Sequence, residues 1–346
     1  MTFPSRRQWM LHATLAAAAC AGLPVRAEGR PEKGRVSLAV GGKAGFYYLP
    51  LTIAEQLGYF RDEGLEVDIQ DFPGGSRALK ASLDRTVDVV SGAYEHTIDL
   101  QAHGLSYQAF VLQGRAPQIA MGVSPKAIPN YKSVADLRGR RIGVSAPGSS
   151  TNMIANLVLA RAGVKPSEVH FVGVGTAQGA LTAFRSGEID AMSNIDPVMT
   201  MLEKRGEIRI VSDTRSLKGA VDLFGGPMPA ACLYAPTEFV ERHPITCQAL
   251  ANAVVHALKW LQTAGPSDII KAVPESHMLG DRGLYLASFT RVRDALALDG
   301  LMPEAGPATA LRSLASFDER IRPDRIDLSK TYTNEFARRA KQKFKA

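Results

Sequence analysis

The stretch SRALKASLDRTVDVVS, residues 76–91, decides the fold because it returns without a gap as QGALTAFRSGEIDAMS at residues 178–193. Asp88 of the first copy matches Asp190 of the second at the offset of 102 that relates the two segments. Each copy has a helix pattern followed by a strand pattern, and each is preceded by a further strand and helix. The repeat therefore predicts two similar halves. The alternative is that two unrelated strand–helix units look alike at this level of detail.

Capping residues and apolar patterns predict the same elements upstream of each copy. A helix over 50–57 begins at Pro50, and a helix over 152–162 ends before Gly163. The segments LEVDIQ and VHFVGV, which follow these helices, have strand patterns. Units in this order form parallel, doubly wound sheets, in which ligands bind beyond the carboxyl ends of the strands. The sequence therefore predicts an α/β protein of two doubly wound lobes with a cleft between their loops.

Composition excludes several classes of protein. The 346 residues are 45% apolar and 22% charged, which is ordinary for a soluble globular chain. The formal net charge is +7, but residues 1–27 contribute three arginines and no acid, so the remainder holds 38 basic against 34 acidic residues. These charges are dispersed, apart from the tail RRAKQKFK, for which we predict a solvated final helix. We therefore expect no nucleic-acid partner.

Residues 1–27 have the pattern of an export signal. Paired arginines in SRRQWM precede the apolar stretch LHATLAAAACAGL, and VRA supplies a small-x-small cleavage site ending at Ala27. The arginine pair followed by an aromatic residue is typical of the twin-arginine route, and an ordinary secretory signal is the alternative. We predict a mature protein that begins at Glu28 and lies in the periplasm.

Two cysteines remain after export, Cys232 and Cys247. An oxidising compartment would allow a disulfide between them. The apolar run AACLYA around Cys232 and the helix pattern around Cys247 favour two small buried side chains instead. The sequence has no CxxC motif and no His/Cys spacing typical of a metal site, so we expect no metal and no cofactor.

The segment SAPGSST, residues 145–151, lies between a strand and a helix, where a ligand site is expected. Gly148 allows close backbone approach, and Ser149, Ser150 and Thr151 offer hydroxyl donors. The first N–H groups of a helix lack partners within the helix and favour a negative charge. This pattern predicts an anion site without a fixed cation. The alternative is a helix cap, for which one hydroxyl would be enough.

Other loops at the same edges carry further candidates. The segment GFYYLP has three adjacent aromatic residues, of which one or two are expected to line the cleft. FPGGS is the corresponding helix start of the first half, with a turn and cap as the alternative. SGAYEH offers Tyr94 and His96, although a single histidine is more often structural. Asp196 in SNIDP either reaches across the cleft or belongs to a turn. Asp88 and Asp190 recur in both halves, which indicates a structural role.

The sequence lacks the motifs of common catalytic sites. It has no Gly-x-Ser-x-Gly elbow, no His-Glu-x-x-His and no cysteine at a helix start beside a histidine. The Walker lysine is also missing from SAPGSST. We therefore expect a binding protein and no enzyme.

Four segments together resemble the solute-binding proteins of ABC importers for sulfonates, taurine and nitrate, and the related thiamine-pyrimidine group. They are AEQLGYFRDEGLEVDIQ, GGSRALKASLDRTVDVVSGA, SVADLRGRRIGVS and ALTAFRSGEIDAM. The resemblance implies a type II periplasmic binding fold, with the two lobes joined by two crossing strands. It also implies that residues 36–118 and 225–346 form a discontinuous lobe one and that residues 119–224 form lobe two.

The resemblance, together with Tyr94 from the loop pattern, defines a set of expected ligand-binding residues. Where relatives have a bulkier aromatic–acid–Pro motif, this chain has NIDP, which puts the usual substrates in doubt. The expected residues are Phe46, Tyr47, Tyr48, Gly75, Ser76, Gly92, Ala93, Tyr94, Ser149, Ser150, Thr151, Gly175, Thr176, Asn194 and Asp196.

These observations predict a monomeric periplasmic receptor that delivers a small solute to a membrane permease and its ATPase. The solute is expected to be anionic, with a sulfonate or carboxylate group. One alternative is an enzyme of the thiamine-pyrimidine synthase type on the same fold, a branch with a cysteine-rich motif that this chain lacks. Another alternative is a sensor or scaffold that uses the fold to control a partner.

Overall fold

The computed structural model describes residues 29–346, so the predicted export signal and its cleavage site lie outside the described residues. Within that range, no helix is both long enough and apolar enough to cross a membrane. Ten strands form two sheets of five. The strands are β1 Arg35–Val40, β2 Glu66–Asp71, β3 Val89–Ala93, β4 Tyr107–Leu112, β5 Ile119–Val123, β6 Arg141–Val144, β7 His170–Gly173, β8 Ala191–Ile195, β9 Arg209–Asp213 and β10 Ala231–Pro236.

The two sheets share one topology. The first has the order β2-β1-β3-β10-β4 and the second has the order β7-β6-β8-β5-β9. In each sheet the first three strands are parallel, and the fourth is antiparallel to both of its neighbours. In the first sheet that antiparallel strand is β10, which comes from beyond the run β1–β4, whereas the second sheet consists of the consecutive strands β5–β9. The predicted α/β fold of two doubly wound lobes is confirmed.

Helices flank both sheets, and the longest of them, Pro244–Thr263, is mostly buried. A short 3₁₀ turn over Phe46–Tyr48 precedes the first α-helix. The α-helices are α1 Leu49–Gln56, α2 Tyr59–Asp62, α3 Gly75–Leu83, α4 Glu95–Ala102, α5 Ser150–Arg161, α6 Gln178–Ser186, α7 Val198–Lys204, α8 Leu217–Phe224, α9 Thr237–Arg242, α10 Pro244–Thr263, α11 Pro266–Ala272, α12 Arg282–Val292, α13 Gly306–Ala315 and α14 Glu335–Phe344.

The sequence repeat is a structural repeat. Strand β3 runs from residue 89 to 93 and β8 from 191 to 195, so both bounds differ by 102 residues. Asp88 accepts hydrogen bonds from the backbone N–H and the hydroxyl of Ser37, both at 2.9 Å. Asp190 accepts a bond from the backbone N–H of Arg141 at 2.9 Å and pairs with its guanidinium. Each aspartate therefore ties the start of one strand to its neighbour, which confirms the structural role expected for the pair.

The chain passes between the sheets twice. It leaves the first sheet through residues 113–118, between β4 and β5, and returns through residues 225–230, between α8 and β10. Both crossings are irregular segments held by backbone bonds, such as the one from Gln118 N to the Thr214 carbonyl at 3.0 Å. The exact lobe boundaries expected from the resemblance stay a prediction.

Cys232 and Cys247 are both free and buried, as the apolar patterns around them favour.

Candidate functional site

The loops at the carboxyl ends of the two sheets touch each other directly. The backbone N–H of Ser76 donates a 3.0 Å hydrogen bond to Ser149 Oγ, and the Ser76 hydroxyl donates a 2.8 Å bond to the Pro147 carbonyl. A second bond runs from the backbone N–H of Phe46 to the Asp196 carbonyl at 3.0 Å. The starts of α3 and α5 therefore face each other, and the cleft between the sheets is narrow.

A small cavity, which we call the inner cavity, lies between these loops. Its volume of about 20 Å³ is room for roughly one water molecule. No lysine or arginine occurs among its lining residues, all of which lie in the described range. Both halves of the molecule contribute to the walls: Gly41, Tyr47, Tyr48, Gly75, Ile119, Ser145, Ser149, Ser150, Thr151, Thr176 and Ile195.

Seven of the residues expected from the sequence line the inner cavity. Three of them, Ser149, Ser150 and Thr151, lie at the start of α5. Ser149 stands at the N-cap position, but its hydroxyl does not cap the helix and bonds to Ser76 instead. Thr151 Oγ1 accepts a 2.9 Å bond from the backbone N–H of Ser145 and lies 2.8 Å from the Ser145 hydroxyl. Two of the three hydroxyls are therefore engaged within the protein.

Tyr47 and Tyr48 form the aromatic wall of the inner cavity. Their rings meet edge to face with centroids 4.9 Å apart, and both side chains are buried. Tyr47 Oη has no hydrogen-bond partner among the described residues. Burial raises the pKa of both phenols, and the nearby Glu95 raises it further. Both tyrosines are therefore neutral, and Tyr47 offers a free hydroxyl to a ligand.

Ser76 forms the contact between the halves without lining the inner cavity. Phe46, the third aromatic residue of the loop that carries Tyr47 and Tyr48, points away from the cleft. Its ring packs on Tyr285 and Phe289 of α12, with centroid distances of 4.4 and 6.2 Å. Phe46 is therefore a core residue that packs against α12.

Five further expected residues lie outside the lining of the inner cavity: Gly92, Ala93, Tyr94, Gly175 and Asn194. Tyr94 Oη bonds to Thr331 Oγ1 at 2.6 Å, and the side-chain amide of Asn194 donates to the Gly175 carbonyl at 2.9 Å. A side chain at Gly92 would meet the Tyr234 ring at 3.0 Å. Ala93, Gly92 and Asn194 lie in buried strands. A direct role for these residues in binding stays a prediction.

The Asp196 side chain also bonds within the protein and does not line the inner cavity. It is fully buried, accepts a 2.7 Å bond from the backbone N–H of Thr200 and faces Arg215 at 3.5 Å. Burial raises the pKa of this carboxyl, and the Arg215 guanidinium opposes the rise. Arg215 is itself buried and also pairs with Asp213 and Glu203. Asp196 therefore belongs to a buried ionic network at one end of the second sheet.

One prominent residue of the site, Glu95, was not expected from the sequence, although it lies in the candidate loop SGAYEH. Glu95 is 4% exposed at the start of α4, and its Oε1 has no partner within the described chain. Burial raises the pKa of this carboxyl, while His96 and the Ser150 hydroxyl oppose the rise. An acid beside a histidine after a buried strand was the only available signal, and such pairs are common on protein surfaces.

Comparison with known proteins places the chain in a family. A protein from Bordetella bronchiseptica RB50 with a solved structure is 55% identical, with a TM-score of 0.91 over 92% of this chain and 100% of that chain. The alkanesulfonate-binding protein SsuA from Xanthomonas axonopodis pv. citri shares the fold at 20% identity, with a TM-score of 0.65 over 88% of this chain and 99% of that one.

Two curated relatives differ in the activity that their names give. A protein of Escherichia coli K12 named for binding aliphatic sulfonates is 26% identical over 207 residues, 60% of this chain and 63% of the relative. The 4-amino-5-hydroxymethyl-2-methylpyrimidine phosphate synthase of Schizosaccharomyces pombe is 25% identical over 217 residues, 60% of each chain. The chain thus matches less than two thirds of either relative.

The family model described as NMT1/THI5 like matches residues 45–265, more than half of the chain. The chain therefore belongs to the NMT1/THI5-like family.

Proposed function

We propose that this protein is the solute-binding component of an ABC import system and captures a small molecule between its two halves. One observation carries the proposal: the inner cavity is lined by loops of both sheets, and direct bonds such as Ser76 to Ser149 close it. A site built from two halves is suited to closure around a ligand by hinge motion. The SsuA proteins among the similar structures support the same class of function.

The proposal includes the cellular context expected from the sequence. The receptor would be a periplasmic monomer, exported by the signal in residues 1–27, and would deliver its solute to a membrane permease with its ATPase. The SsuA proteins of Methylobacillus flagellatus and Escherichia coli, which have similar solved structures, are described as periplasmic, which supports this location. Exposed residues on both lobes would then contact the permease together only when the cleft is closed.

The chemistry of the solute has two candidates. The anionic solute expected from SAPGSST is supported by relatives named for sulfonates and by the free N–H groups at the start of α5. The engaged hydroxyls of Ser149 and Thr151 and the unpartnered Oε1 of Glu95 count against an anionic solute. That carboxylate favours a solute that donates hydrogen bonds. The name of one curated relative, the pyrimidine phosphate synthase, gives a product that carries both an amino group and a phosphate.

The rival functions are an enzyme of the pyrimidine synthase type and a sensor or scaffold. An enzyme would convert the bound molecule, a scaffold would bind none, and a receptor would release the molecule unchanged. The full-length protein is produced in its native host, purified without denaturation and analysed by mass spectrometry for a retained small molecule. We expect one retained solute, recovered unchanged after incubation and bound again by the stripped protein in calorimetry. Recovery of a converted product would establish the enzyme, and failure to bind any small molecule would favour the scaffold.

A further inference from the structure

A second cavity, which we call the polar pocket, adjoins the inner cavity. It is bounded by α4, by the start of α5 and by the segment from the end of α13 to Arg320, and its volume is about 180 Å³. Ser149 and Ser150 line both cavities and form the partition between them. The polar pocket therefore has the room for a small organic group that the inner cavity lacks.

Unpartnered polar atoms are concentrated in this pocket. Four of its lining side chains have a buried atom without a hydrogen-bond partner in the described structure: Glu95 Oε1, His96 Nε2, Asn152 Nδ2 and Asn156 Oδ1. Glu95, His96 and Asn152 are each more than nine-tenths buried. A buried polar group without a partner is energetically unfavourable, so four such groups in one pocket indicate a site completed by a ligand.

Two of these side chains are held in place at their other end. His96 Nδ1 lies 3.1 Å from Tyr234 Oη, and Asn152 Oδ1 accepts a 2.9 Å bond from the backbone N–H of Gly148. Their unpartnered ends therefore cannot turn away to find a partner. Fixed polar groups of this kind orient a ligand without loss of side-chain freedom on binding.

The charge of the pocket is negative. Its lining residues include the carboxylates of Glu95, Asp99 and Asp318, while Arg320 supplies the only arginine or lysine among them. Arg320 is already paired with Asp318 through two bonds of 2.9 and 2.6 Å. Glu95 thus faces the pocket without an unpaired lysine or arginine among the lining residues to balance a charge on its carboxyl group.

Resting on the proposed function, we propose that the polar pocket takes a positively charged nitrogen group of the solute, an ammonium or amidinium, with Glu95 Oε1 as its acceptor. His96 Nε2, in the ring tautomer that carries its proton on Nδ1, and Asn156 Oδ1 are further acceptors for the remaining N–H groups. An anionic solute would bring a second negative charge towards Glu95, which is unfavourable in a buried pocket.

The test uses three pools of small molecules from the native host, separated by ion exchange into cationic, anionic and neutral compounds. Thermal melting of the full chain, dialysed free of solute, is measured with each pool. The variants are Glu95→Gln, which keeps the shape and removes the charge, and Asp84→Asn as a control. Asp84 lies in an exposed pair with Lys80 after α3 and is remote from both cavities. The stabilising compound is then identified by mass spectrometry and titrated by calorimetry.

We expect the cationic pool to raise the melting temperature of the wild type and of Asp84→Asn, through a compound with a basic nitrogen. Glu95→Gln should bind that compound at least about 30-fold more weakly, because a buried charge loses its partner. Stabilisation by the anionic or neutral pool alone, or equal binding by Glu95→Gln, would overturn the inference and leave the receptor function intact. No stabilisation by any pool would overturn both. The basic nitrogen is read from the wild-type ligand, so the test holds even where Glu95→Gln does not fold.

Discussion

Ser76 and Ser149 join the two halves of the molecule through a 3.0 Å bond from the Ser76 N–H to the Ser149 hydroxyl. Ser76 lies in the first turn of α3, and Ser149 is the N-cap residue of α5. Neither sheet contributes a strand to the other, so bonds of this kind and the packing around them hold the cleft narrow. If the two halves hinge as proposed, small changes at this contact should shift the balance between open and closed forms.

Ligand binding is expected to make the protein more compact in solution. Closure brings the starts of α3 and α5 together, and a bound solute stabilises that state in proportion to its preference for it. Small-angle scattering of the wild type with and without its solute should show a smaller radius of gyration in the bound form. An unchanged radius at saturation would count against a hinged receptor.

Gly74→Ala should weaken binding by opposing closure. A methyl group at Gly74 would lie 2.7 Å from the Ala146 side chain of the other half and 3.0 Å from its backbone nitrogen. Overpacking of this kind costs about 1–3 kcal/mol, and opening the cleft relieves it. We expect about a tenfold or greater loss of affinity by calorimetry, with little change in the melting temperature of the solute-free protein.

Gly283→Ala is the matched control for that substitution. It adds the same methyl group in the first turn of α12, where the nearest atom lies 3.6 Å away. Its affinity for the solute should equal that of the wild type. Equal loss of affinity in both variants would show that the Gly74 contact does not oppose closure.

Arg215→Met should be far more damaging than Arg291→Met, although both arginines pair with Glu203 and Asp213. Arg215 is 1% exposed, and its removal leaves the fully buried Asp196 without a counter-charge. We expect a loss of about 3–5 kcal/mol in the free energy of unfolding. The side chain of Arg291 is 36% exposed, and its pairs should contribute about 1 kcal/mol or less. Urea unfolding measures both, and equal losses would contradict this account.

Asp88→Asn should reduce stability at neutral pH and flatten its acid dependence. Burial alone would raise the pKa of Asp88, but the bonds from Lys33 and Ser37 outweigh it and hold the pKa below its ordinary value. A folded-state pKa below the unfolded value means that the stabilisation is present above about pH 4 and is lost as the pH falls. We expect a loss of about 1–3 kcal/mol at pH 7, measured by urea unfolding from pH 3 to 7. A wild-type acid dependence in the variant would contradict the assignment.

Export should remove the first 27 residues. N-terminal sequencing of the protein from a periplasmic fraction is expected to begin at Glu28. Replacing Arg6 and Arg7 by lysine should block export only where the twin-arginine route is used. A cytosolic protein that still carries both arginines would contradict the signal assignment.

Much of the fold was predictable because it depends on local patterns. Pro50, Gly58 and Gly163 mark helix ends close to where the structure has them, in α1 and α5. The repeat predicted the order of elements, since its two copies have the same periodicities and β3 and β8 differ by 102 at both bounds. Apolar periodicity and caps act within a few residues, so the sequence by itself determined the elements and their pairing into two halves.

Only the tertiary structure decided which loop residues face one another. Tyr47 and Tyr48 line the cavity, while Phe46 beside them packs on Tyr285 and Phe289 of α12, more than 200 residues along the chain. Asp196 turns to the buried Arg215, and Oε1 of Glu95, a residue that no pattern distinguished, has no hydrogen-bond partner in the described structure. These outcomes depend on how the two sheets and the C-terminal helices sit against each other. The local sequence pattern does not reveal contacts between residues that are far apart in the chain. The burial and the partners of a loop side chain depend on the element that packs against it, and that element comes from another part of the chain.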